Sequence, residues 1–335
     1  MEEKLQFAEE DRLSVSYKNS FKTYLYNPYN RDILGRSLLS WAKVLLYSFL
    51  FSIFTTFIFT ISLWTFYQTL DSHTPKLQLN SSFIGSNPGL GFRPLLKDTN
   101  PYSSLIHFIH GGSGTWGDLT ENLIDFLKQY DPGHWANAGT SQTKCHWTSG
   151  PRSKQDACEF NKEWLSNIGA DIKCIEEENF GFSFGKPCIL IKLNKIYGWN
   201  PEPFYNFTEV EEHPTMPKLL KMHIMDTWRT ECAGKGEEIE NKCPELNMVW
   251  LHCDGETAAD KEHIGPLTYT PYRGFPAYYF PFYNQIGYLQ PVVMVQLLAP
   301  SPGVIMNIEC TPWAKGMVHD RVTKRGMVHF EFLMD

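Results

Sequence analysis

The longest apolar run in the chain occupies residues 44–70, VLLYSFLFSIFTTFIFTISLWTFYQTL, 27 consecutive positions without a charge. As a helix rising about 1.5 Å per residue it would extend about 40 Å, more than the ~30 Å hydrocarbon core of a bilayer. One membrane crossing is therefore predicted, with Trp41 before it and Trp64 and Tyr67 at its far end as interfacial rings. Lys22, Arg31, Arg36 and Lys43 precede the run, whereas only Lys76 follows over a similar stretch. That asymmetry predicts a cytoplasmic tail at 1–43 and a C-terminal part outside the cell. The run begins too deep and is too long for a cleaved signal peptide, so it reads as a signal anchor of a single-pass plasma-membrane protein.

Past the run the pattern changes. Residues 71–101 are rich in Pro, Gly, Ser and Asn with little periodicity, which predicts an extended stalk. Residues 119–130, LTENLIDFLKQY, carry apolar side chains at 119, 123, 124, 126 and 127, a helical spacing with Asp118 as the expected N-cap. Strand-like runs follow at 188–193 (CILIKL), 248–252 (MVWLH), 291–298 (PVVMVQLL) and 327–333 (MVHFEFL), separated by Pro and Gly clusters. This order predicts a mainly β domain over 102–335, an antiparallel β-sandwich with one or two added helices.

Composition sharpens that division. Of 335 residues 42% are hydrophobic, enough for a good-sized core, and the net charge of −7 removes the electrostatic basis for a nucleic-acid binder. The acidity is one-sided: 1–43 holds 7 basic and 6 acidic residues, 71–335 holds 23 and 31. All eight cysteines, Cys145, Cys158, Cys174, Cys188, Cys232, Cys243, Cys253 and Cys310, lie beyond the span, which predicts disulfides in an oxidising compartment. Residues 231–244 look like a loop closed by its own Cys232–Cys243 bridge. No CxxC pair supports a metal site, His252 beside Cys253 reads as a surface histidine, and neither metal nor cofactor is expected. Two N-glycosylation sequons begin at Asn80 and Asn206, the first only about ten residues past the membrane.

Catalytic motifs are weak. Gly181-Phe182-Ser183-Phe184-Gly185 has the form of a nucleophile elbow and His110-Gly111-Gly112 that of an oxyanion-hole loop. An elbow needs a strand before it and a helix after it, whereas a Pro and the strand-like CILIKL follow here, so Ser183 reads as a turn residue. The layout of tail, anchor, stalk and luminal domain also suits a glycosyltransferase, yet no Asp-x-Asp is present and Asp254-Gly255-Glu256 is the nearest carboxylate pair. No set of residues takes acid, base and nucleophile roles, and no catalytic residue is assigned.

Particular strings then point to a family. Leu34-Gly35-Arg36, Ser40-Trp41-Ala42-Lys43-Val44-Leu45-Leu46, the GKPCILIKLNKI run from Gly185 to Ile196, Tyr278-Tyr279-Phe280-Pro281-Phe282-Tyr283 and the YLQPVVMVQ run from Tyr288 to Gln296 resemble the β subunits of the X⁺/K⁺-transporting P-type ATPases. The resemblance implies a non-catalytic subunit that pairs one-to-one with a catalytic α subunit, stabilises it, aids its export and tunes its potassium affinity, and it admits a small third regulatory subunit. It implies an immunoglobulin-like sandwich of irregular topology with disulfides Cys145–Cys158, Cys174–Cys188 and Cys253–Cys310. Cys232 and Cys243 fall outside that pattern and are expected to form a fourth, local bridge. With only two sequons, a sodium pump is favoured over a proton pump, and a pump-independent adhesion role is the alternative.

Two surfaces are candidates for the partner. Tyr47, Phe51, Phe54, Ile58 and Ile61 recur along one helical face within the span, and membrane lipid is the competing occupant of that face. Tyr278, Tyr279, Phe282 and Tyr283 form a Pro-stiffened aromatic cluster of the composition that makes interface hot spots. Core packing is the competing role for that cluster.

Overall fold

The computed structural model describes residues 21, 24–27, 31–71, 73–95, 103–111, 114–131, 134, 142–151, 153–154, 156–166, 173–204, 207–232 and 243–335. They fall into two compact units, Met1–Leu70 and Asp71–Asp335.

The first unit is dominated by helix α1, Leu38–Gln68. It begins six residues before the apolar run and ends two before the run does. Ser37 caps it, its hydroxyl accepting from the Ser40 amide at 3.4 Å, and the Trp41 indole donates to the Ile33 carbonyl at 2.7 Å. Thr55, Thr60 and Thr65 each donate a hydroxyl to the carbonyl one turn back, at 2.8 to 2.9 Å. Those bonds let polar side chains sit in a lipid-facing helix without an unsatisfied hydroxyl. None of its residues is buried within the chain, and among the described residues it is the one helix long and apolar enough to cross a membrane.

The second unit is a β-sandwich. Its strands are β1 Leu90–Arg93, β2 Leu105–Phe108, β3 Cys188–Leu193, β4 Met248–Gly255, β5 Leu267–Thr270, β6 Gly274–Pro276, β7 Val292–Leu297, β8 Met306–Trp313 and β9 Val328–Met334. A four-stranded antiparallel sheet runs β1-β3-β7-β5 and a five-stranded sheet runs β6-β4-β8-β9-β2. The irregular feature of the second sheet is its edge, where β2 pairs parallel with β9. Alternation sets the inner faces: Phe92, Ile191 and Val293 stand in register across three strands, and Phe92 reaches the opposite sheet to stack on Phe330 at 4.8 Å. β3 and β7 are buried almost throughout, so they read as unbroken apolar runs rather than alternating ones.

Several elements differ from the sequence expectations. β1 lies inside the stretch expected as stalk, with Leu90 and Phe92 in the core; its four residues are too short to register as a periodic pattern. Helix α2 spans Gly117–Leu127 and continues as a 3₁₀ turn through Tyr130. Its N-cap position is Trp116, without a side-chain cap, and Asp118 lies in the first turn, where its charge complements the helix dipole. α2 is also joined by three further helices, α3 Phe207–Glu211, α4 Lys218–Thr227 and α5 Ala258–His263. α3 and α4 pack Val210, Leu220 and Ile224 against Met248, Trp250 and Trp313, forming a second core on the outer face of the five-stranded sheet.

Candidate partner-binding surfaces

On α1 the Tyr47, Phe51, Phe54, Ile58 and Ile61 stripe is solvent-accessible throughout, as are the helix's other faces. Tyr47 and Phe51 stack at 6.1 Å with planes 17° apart, so the two rings present one flat aromatic step. A step of this kind offers the close van der Waals contact on which association within lipid depends.

The aromatic segment at 278–283 is split by the fold. A 3₁₀ turn, Ala277–Tyr279, follows β6, and within it the Tyr278 and Tyr279 rings lie 4.7 Å apart with planes tilted by 39°. Tyr279 is buried, its hydroxyl donating to the Glu159 carbonyl at 3.0 Å, and burial pushes its pKa well up. Phe282 is buried against Tyr288 and Tyr197, both at 4.9 Å. These two side chains were expected on a contact surface; both are buried within the chain, Tyr279 in the main core and Phe282 in a smaller cluster with Ala157 and Tyr288. Tyr278 and Tyr283 stay half-buried. The Tyr278 ring rests edge-on against Trp147 at 5.5 Å, and its hydroxyl is pushed up to about 12 by burial. Lys154 lies over the Tyr283 ring at 5.3 Å, while Lys195 lies over Phe282 at 5.1 Å and Tyr288 at 5.2 Å. Burial lowers the Lys195 pKa. The outward edge of the cluster is therefore aromatic and cationic, a surface suited to a partner that presents carboxylates. Trp147, Lys154, Lys195 and Tyr288 were not among the expected contact residues, and the first three reach the motif only through folding.

Four disulfides join the eight cysteines: Cys145–Cys158, Cys174–Cys188, Cys232–Cys243 and Cys253–Cys310. The last links directly opposed positions of β4 and β8, with Cα atoms 4.0 Å apart. Cys232 and Cys243 lie near Glu245 with ligand-type atoms close together, but a bonded pair offers no thiolate for a metal. Asn80 is exposed, its side chain accepting from Ser86 at 2.6 Å, whereas Asn206 lies outside the described residues.

The catalytic look-alikes have structural roles. Gly181 has φ +77°, and a Cβ there would collide with the Lys186 carbonyl; Gly185 ends the turn at φ +66°. Both glycines of the motif are thus demanded by a tight turn leading into β3, so the element after Ser183 is a strand and not a helix. Gly112 lies outside the described residues. His252, expected at the surface, is only 6% exposed. Its pKa falls to about 4, chiefly through burial and then through the neighbouring Arg273.

Comparison with known proteins bears on the whole chain. Residues 13–330 match the family described as sodium / potassium ATPase beta chain. The sodium/potassium-transporting ATPase subunit beta-2 of Drosophila melanogaster is 38% identical over 95% of this chain and 93% of its own length. Subunit beta-1 of the same organism is 35% identical over 95% of this chain and 94% of its own. The human subunit beta-2 is 26% identical over 87% of this chain and 84% of its own. The match spans both the apolar helix and the disulfide-bonded sandwich. This chain belongs to the sodium/potassium ATPase beta chain family, whose members are the non-catalytic subunit of that pump.

Proposed function

We propose that this chain pairs one-to-one with the catalytic α subunit of a sodium- and potassium-transporting P-type ATPase at the plasma membrane. α1 crosses the bilayer with residues 1–43 in the cytosol, and the sandwich faces outward. The observation that carries the reading is the family match over nearly the full chain, span and sandwich together. The four disulfides and the Lys and Arg residues gathered before the span support the outward placement.

The chain supports its partner in two places. In the bilayer the Tyr47, Phe51, Phe54, Ile58 and Ile61 face packs against a helix of the catalytic subunit, since apolar burial alone drives nothing between lipid and protein. Outside it, Tyr278 and Tyr283, held from behind by Tyr279 and Phe282, meet an extracellular loop, with Lys154 and Lys195 facing its carboxylates. By holding the catalytic subunit's folded form the chain stabilises it during export. If the chain binds the potassium-occluded form better, it shifts the pump's equilibrium: a bias of about 1.4 kcal/mol changes apparent potassium affinity up to tenfold.

Purification of the tagged chain from its native membranes tests this. The expected result is a stoichiometric large P-type ATPase whose hydrolysis requires sodium and potassium. Recovery of the folded chain alone overturns the pump reading and favours a separate adhesion role; dependence on protons and potassium moves the partner to a proton pump.

A further inference from the structure

At the corner where the chain passes from β5 in one sheet to β6 in the other, the domain holds a cleft of about 710 Å³. A volume of that order suits a small-molecule ligand. Its walls bring together two kinds of surface. Trp147, Tyr269 and Tyr272 supply aromatic sides, with Trp147 and Tyr272 edge-to-face at 5.3 Å. Arg273 supplies a cation: its guanidinium lies over the Tyr269 ring at 4.7 Å, donates from Nε to the Leu251 carbonyl at 3.3 Å and stands 3.0 Å from His252 Nδ1.

Among the described residues no carboxylate lies within ion-pair distance of Arg273. Its charge is felt nearby, since both His223 and His252 are held below the ordinary imidazole range, first by burial and next by Arg273. Thr227 and Glu231 also line the space, Glu231 at an exposed position where its carboxylate can accept from hydroxyl groups.

The requirements converge on one ligand chemistry. A guanidinium calls for an anion and forks naturally onto a carboxylate, aromatic faces call for the flat apolar side of a ring, and Thr227 and Glu231 call for hydroxyls. An aromatic acid would satisfy the first two and leave the hydroxyl partners idle. We propose that this cleft binds an acidic sugar, with its carboxylate on Arg273 and its ring against Trp147 and Tyr272.

Titration of the detergent-solubilised full chain with D-glucuronate, D-glucose and benzoate tests the assignment, followed by tryptophan fluorescence and by the melting midpoint. Glucuronate is expected to give a saturable change, with glucose at least about tenfold weaker because it lacks the charge-assisted contact. Benzoate should be weaker than glucuronate. Arg273→Gln should lose about tenfold or more in glucuronate affinity; Tyr272→Ala, at a ring 39% exposed, should weaken it several-fold while the free protein still unfolds in one cooperative transition. Should Arg273→Gln fail to fold, the Tyr272→Ala titration decides. Equal binding of glucose, tighter binding of benzoate, an unchanged Tyr272→Ala affinity or no saturable response to glucuronate would each overturn the proposal.

Discussion

Arg273 Nη2 lies 3.0 Å from His252 Nδ1, so a permanent cation sits against an imidazole that is itself buried. Asp254, 4.0 Å from the other ring nitrogen, opposes the effect only in part, and the His252 pKa settles at about 4. The native protein therefore keeps this ring neutral well into the acid range.

A pH dependence follows from that pair. In the unfolded chain the ring titrates near ~6.5, so between about pH 6.5 and about pH 4 the unfolded state binds a proton that the native state refuses. The stabilisation is complete above that window and is lost as pH falls through it, by up to about 3 kcal/mol at the acid end. His213, His223 and His319 are displaced in the same direction, each chiefly by burial, and add to the slope. Urea unfolding of His252→Gln should show a shallower loss of stability between neutral pH and about pH 4.5 than the parent. Identical slopes would contradict the assignment.

The stacked pair Phe92 and Phe330 ties the two sheets together. Phe92→Ala should cost about 3–5 kcal/mol, a large part of a domain's stability, measured as a fall in the denaturant midpoint. A substitution at Phe83, which is fully exposed, serves as the control and should stay within about 0.5 kcal/mol.

Within the 278–283 segment the two kinds of tyrosine should separate experimentally. Tyr279→Phe removes the hydroxyl that serves the Glu159 carbonyl and should cost about 1–3 kcal/mol of stability. Tyr283→Ala, at a half-buried ring under Lys154, should leave the melt nearly unchanged and reduce recovery of the catalytic subunit in pull-downs. If Tyr283→Ala and Tyr278→Ala both retain the partner in full, the docking surface lies elsewhere.

Cys232 and Cys243 should resist alkylation in the unreduced protein, since every described cysteine is paired. Mass spectrometry that finds either thiol labelled would contradict the fourth bridge. Loss of Cys253–Cys310, which pins neighbouring strands at the centre of the five-stranded sheet, should cost about 2–5 kcal/mol.

Much of the architecture was legible locally. The span, the strands at β3, β4, β7 and β9 and the helix α2 each carry an apolar pattern longer than one turn or one pleat, and the structure places elements at each of them. α4 escaped notice because KLLKMHIMDT mixes its faces: Leu220 and Ile224 go inward while Leu219 and Met222 remain exposed. β1 and β2 escaped because four residues are too few to establish a period.

By itself the sequence determined the membrane span, the one-sided charge and cysteine distribution, the β character of the outer domain and its family strings, all of them properties of contiguous residues. Only the tertiary structure decided which rings of Tyr278–Tyr279–Phe280–Pro281–Phe282–Tyr283 turn inward, and it did so by bringing Glu159, Tyr197 and Tyr288 over two of them. The same holds for Arg273, whose neighbours Trp147, His223 and His252 come from separate segments. Burial and electrostatic environment are set by contacts between residues distant along the chain, and a local pattern cannot specify which of those contacts form.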